Sequence, residues 1–66
     1  MPLVNNIRNV RIERHLLQSD CAKKLGVSTR YFSNIERYNP ERIQYGKLIS
    51  LSKFLNAPIS DLIISR

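Results

Sequence analysis

Along this chain apolar residues return every three or four positions, and each such stretch closes on a residue suited to a turn. That rhythm predicts short helices. In residues 5–14, Ile7, Val10 and Arg11 share one helical face, and Asn5 stands where a cap is needed. His15 follows where the chain must leave the helix, a place that favours the left-handed conformation, which histidine tolerates better than a branched residue. Leu16 then turns back to the core. The second helix covers residues 18–25, with Cys21, Ala22 and Leu25 as its stripe and Gly26 as its left-handed stop. Val27 is buried in the turn. Ser28 caps a third helix, residues 29–37, whose inner face is Phe32, Ile35 and Glu36. "YNPERIQ" reads as an extended loop, because the residue before Pro40 avoids helix. A fourth helix, residues 45–55, turns Leu48, Leu51, Ser52 and Leu55 inwards and is closed by a left-handed Asn56. Gly46 near its start weakens it by up to ~1 kcal/mol. "PISDLIIS" predicts a last short helix, capped by Ser60 or entered at Pro58. Its Ile59, Leu62, Ile63 and Ile64 are too many for one core stripe.

The spacing inside "QSDCAKKLGVSTRYFSNIE" says more. Ala22, Gly26, Phe32 and Ile35 stand fifth, ninth, fifteenth and eighteenth from Gln18, the signal of two helices crossing at a tight turn. A small Ala22 lets the third helix cross closely over the second, Gly26 supplies the turn, and Phe32 and Ile35 fasten the third helix inwards. Thr29, Arg30, Ser33, Asn34 and Arg37 are then left outside. Such a face suits a major groove, which admits one α-helix with its N-terminal residues at the base edges. Arg30 can bond a guanine bidentately and Asn34 an adenine, while Thr29 and Ser33 can meet a base edge. Phosphate contacts fall to Gln18, Ser28, Arg37, Tyr38 and Arg42; Tyr31 and Tyr38 can alternatively cover the edge of the core. Lys23 and Lys24 read as a solvated face.

Composition narrows the function classes. A chain of 66 residues allows one domain, residues 1–66, and its 42% hydrophobic content is too high for a disordered tail. Its net charge of +6 attracts polyanions, of which nucleic acid is the commonest. One cysteine, Cys21, excludes an intramolecular disulfide, and with one histidine it makes no zinc site, so neither metal nor cofactor is expected. Cys21 reads as a small core residue. No nucleophile–base pair and no phosphate-cradling glycine loop is present, so the chain does not read as an enzyme. No apolar run approaches the ~20 residues that span a bilayer, and "MPLVNNIRNV" does not read as a secretory signal. The expected location is the cytoplasm.

The segments "IRNVRIER", "LLQSDCAKKLGVSTRYFSNIER" and "LISLSKFLNAPISDLI" together resemble the phage Cro and repressor-like, or Xre-like, helix-turn-helix family over residues 7–63. The resemblance implies an all-α, compact five-helix, lambda-repressor-like domain, bacterial or phage-encoded, that regulates transcription as a repressor-like protein. It implies a double-stranded DNA operator as partner, the third helix in its major groove, and a homodimer on two half-sites. It also implies that Arg11 pairs with Glu36, and both lie on inward faces where a bidentate pair can fix the angle between two helices. The chain departs from the family in three respects. Leu17 replaces a capping threonine, predicting a weaker start to the second helix. Glu36, Arg37 and Tyr38 replace a turn that usually holds glycine, and Cys21 replaces a larger aliphatic residue. The aliphatic tail, through Ile59, Ile63 and Ile64, is a candidate dimer seam or a surface for a protein partner. The latter would make the chain an antitoxin-like or antirepressor-like interaction module on the same fold.

Overall fold

The computed structural model describes residues 2–65. Five helices follow in the expected order: α1 (Ile7–Glu13), α2 (Gln18–Leu25), α3 (Thr29–Ile35), α4 (Tyr45–Leu55) and α5 (Ile59–Leu62). Two short strands, β1 (Leu3–Asn5) and β2 (Ile63–Ser65), tie the ends of the chain into an antiparallel ribbon, with Leu3 opposite Ser65, Val4 opposite Ile64 and Asn5 opposite Ile63. The core is built from Ile7, Val10, Cys21, Ala22, Phe32, Ile35, Leu48, Leu51, Leu55 and Leu62, with Ile43 and Ala57 closing it. Burying this set against one centre orders five short helices that would be marginal alone.

The turns follow the residue chemistry closely. Gly26 takes φ 72°, His15 φ 57° and Asn56 φ 52°, so each helix end that needs a left-handed residue has one that accepts it. Ser28 Oγ accepts the N–H of Tyr31 at 3.0 Å and caps α3. Leu17 offers α2 no side-chain cap, yet the helix starts at Gln18, because the Asp20 carboxylate reaches back and accepts the Leu17 N–H at 2.9 Å.

Four expectations need correction. Asn5 is a strand residue and α1 begins two residues later; the Asn5 side-chain oxygen still accepts the Ile7 N–H at 3.0 Å. The third helix ends at Ile35 rather than Arg37, because Arg37 N–H turns to Asn34 O and Tyr38 N–H to Ile35 O, three residues back. The 38–44 loop contains a 3-10 turn, Pro40–Arg42, started by Pro40, whose fixed φ suits a first helical position. Finally, helix gives way to strand after Leu62. Ile59 and Ile63 pack against the core and Ile64 is half-buried, so the tail lies partly in the core and partly at the surface. Among the described residues no helix is long and apolar enough to cross a membrane.

Candidate nucleic-acid interface

At the centre of the candidate site is a chain of three side chains. Arg11 Nε donates to Glu36 Oε2 at 2.6 Å, and Gln18 Nε2 donates to Glu36 Oε1 at 2.7 Å. Arg11 Nη1 also donates to the carbonyl of Leu16 at 2.7 Å. One carboxylate thus joins α1, the start of α2 and the end of α3, while the arginine holds the turn between α1 and α2. Charge-assisted bonds of this kind are short and directional, so they set the crossing angle of the helices rather than merely their proximity.

A second clamp was not foreseen as one. Asn5 Nδ2 donates to the carbonyls of Ile35, at 2.8 Å, and Tyr38, at 3.0 Å. The end of α3 has no glycine to take a left-handed turn. The Ile35 carbonyl, already bonded to the Tyr38 N–H at 3.2 Å, takes a second bond from an amide on a strand thirty residues earlier, and the same amide holds the Tyr38 carbonyl in the turn beyond. The capping role read for Asn5 at the first helix was therefore half of its work.

These contacts hold α3 with Thr29 and Arg30 exposed and Ser33 and Asn34 half-buried at its outer margin. A cleft of about 310 Å³ opens beside them, lined by Arg8, Gln18, Ser33, Glu36 and Arg37. Its two guanidinium-bearing walls come from α1 and from the turn after α3, which makes it a cationic notch on the face that α3 presents. Arg8 was missed from sequence; it is exposed on the flank of α1, about 60° round the helix from the inward Arg11.

The remaining expected phosphate contacts divide. Arg37 reaches the cleft from the turn rather than from the helix. Gln18 lines it too, with one amide hydrogen taken by Glu36 and one left to donate. Ser28 uses its oxygen as the cap of α3 and keeps its O–H for another acceptor. Tyr38, expected at a phosphate or over the edge of the core, is half-buried and packs against the core. Arg42 is exposed on the 3-10 turn and does not line the cleft. At the far side of α3, Lys47 from the first turn of α4 sits 5.8 Å from the centre of the Tyr31 ring, adding a cation and an aromatic ring to that margin.

Cys21 lies close to this network but is chemically quiet. Burial pushes its thiol up from 9.0 to about 11, against the smaller opposing pull of Arg11. The thiol stays protonated in the fold while an unfolded chain ionises near 9.0, so this group leaves stability untouched below that pH and lowers it as pH rises towards 11. A native sample at about pH 8 is expected to resist iodoacetamide and to be labelled fully in denaturant, because the thiolate is the reactive form. Rapid labelling of the folded protein would contradict this.

A protein-family model described as helix-turn-helix matches residues 7–62. None of the curated proteins compared with the chain matches it.

Proposed function

Because the chain belongs to the helix-turn-helix family of DNA-binding regulators, we propose that it recognises a specific double-stranded operator with α3 laid in the major groove. One observation carries the reading: Thr29, Arg30, Ser33 and Asn34 lie along one side of α3, beside a cleft walled by Arg8 and Arg37. In that pose Arg30 and Asn34 read base edges, Thr29 and Ser33 support them, and Arg8, Gln18, Ser28 and Arg37 hold the flanking phosphates. Arg11 and Glu36 touch no DNA; they keep α3 at the angle the groove requires.

The protein works as a homodimer on two half-sites about one helical turn apart, roughly 34 Å, and occupies its operator as a repressor does. The second copy joins along the edge of β2 away from β1, where among the described residues no further strand pairs with Ile63–Ser65 and where Ile64 is half-buried.

Selection of random duplex DNA by the purified protein, at near-physiological salt, tests this. The expected product is a motif with two-fold symmetry. Arg30→Ala is expected to weaken specific binding by ~1–3 kcal/mol and to relax one base position, leaving non-specific binding nearly unchanged. An identical motif and affinity in the mutant would remove Arg30 from base recognition. Salt-sensitive binding with no motif would remove sequence specificity altogether.

A further inference from the structure

A second basic surface lies away from α3. Two adjoining clefts, of about 530 and 390 Å³, meet at Phe54 and Lys24 between α2 and α4. Leu16 and the half-buried Phe54 form their apolar floor, and Lys23, Lys24 and Lys53 stand around the rim. Lys24 Nζ is 6.0 Å from the centre of the Phe54 ring. The one acid at the rim, Asp20, already accepts the Leu17 N–H, and among the described residues none of the three lysines is paired with a carboxylate.

Position excludes these lysines from the contact made by α3. At ~100° per residue, Lys23 and Lys24 lie about 120–140° round α2 from Gln18, which points to Glu36 and the recognition side. Duplex DNA held by α3 leaves this groove open. Unpaired cations around an aromatic floor complement an anionic partner that also has an apolar group to bury, and duplex DNA presents no such group on its backbone. An acidic polypeptide does.

We propose that the groove between α2 and α4 binds an acidic segment of another protein, with a leucine or aromatic side chain seated on Phe54 and Leu16 and carboxylates meeting Lys23, Lys24 and Lys53. The segment and the operator occupy opposite sides of α2, so both bind at once. The chain thereby couples an occupied operator to a second protein.

The test uses a synthetic peptide with a leucine and a phenylalanine one helical turn apart among aspartates and glutamates, titrated into isotope-labelled full-length protein and followed by NMR. Saturable shifts at the amides of Lys23, Lys24, Lys53 and Phe54, persisting when duplex DNA is present, are expected. Lys24→Gln with Lys53→Gln is expected to weaken the peptide about tenfold without lowering the melting temperature, since rim charges act on association. Four results would overturn the proposal: no saturation at ~1 mM peptide; shifts centred on Arg30 and Arg37; equal binding of a peptide stripped of its apolar residues; or displacement of the peptide by duplex DNA that itself shifts the groove lysines. None of these depends on whether the DNA bound is a specific operator.

Discussion

Glu36→Ala is expected to lower the stability of the fold by about 3–5 kcal/mol, the loss typical of removing one partner from a buried ion pair. The side chains of Glu36 and Arg11 are 3% and 10% exposed, so the pair is largely withdrawn from water. Arg11 keeps its bond to the Leu16 carbonyl but carries a buried charge with no counter-ion, and Gln18 loses its acceptor as well. A domain this small has little stability to spare. At about 4–8 °C per kcal/mol, the midpoint falls by tens of degrees, and the mutant is largely unfolded near 37 °C. Thermal denaturation followed by circular dichroism reads this directly, and an unchanged midpoint would mean the network contributes nothing. Glu36→Gln, which keeps an acceptor oxygen, should lose less. Replacing the pair together, Arg11→Met with Glu36→Leu, should recover much of the loss, because two apolar groups leave no orphaned charge.

Asn5→Ala is expected to destabilise by about 2–4 kcal/mol, at roughly 1 kcal/mol for each of three lost hydrogen bonds and more where a carbonyl is left dry. The affected groups are the Ile7 N–H and the carbonyls of Ile35 and Tyr38. Asn5→Asp separates the two roles of this side chain. Aspartate accepts a backbone N–H at a helix start as well as asparagine does, but it cannot donate to two carbonyls and places a negative charge against them. If the clamp on α3 matters, Asp is at least as damaging as Ala in denaturant unfolding. A neutral Asn5→Asp would reduce Asn5 to a local cap.

The contrast between these two residues shows where reading the chain stops. Arg11 and Glu36 stand at inward positions of two helices whose faces are set by apolar spacing, and the family resemblance already implied their pairing. Asn5 carries no such mark. Its partners lie 30 and 33 residues away, and its local use at Ile7 conceals the distant one. Arg8 is legible only once the side of α1 that Arg11 occupies is known to face the core. Phe54 carries no mark of its own in the sequence; only the packing of α2 against α4 brings Lys23 and Lys24 beside it.

The strands show the same limit in backbone form. Each has three residues, too few for alternation to register, and one lies in a tail whose run of isoleucines suits a helix equally well. Only closure of the helical core brings Leu3–Asn5 beside Ile63–Ser65, where pairing satisfies backbone groups that neither segment could satisfy alone.

By itself the sequence determined the order of the helices, the bounds of α2 and α4, the left-handed stops at His15, Gly26 and Asn56, and the outward set Thr29, Arg30, Ser33 and Asn34. All of these follow from local propensity and periodicity, which act over one or two helical turns. The tertiary structure alone decided the ribbon, the early end of α3, the inward turn of Tyr38, the cleft between Arg8 and Arg37, and the groove at Phe54. Each depends on groups far apart in the chain whose meeting is fixed by packing of the whole core, and no local pattern encodes a contact of that range.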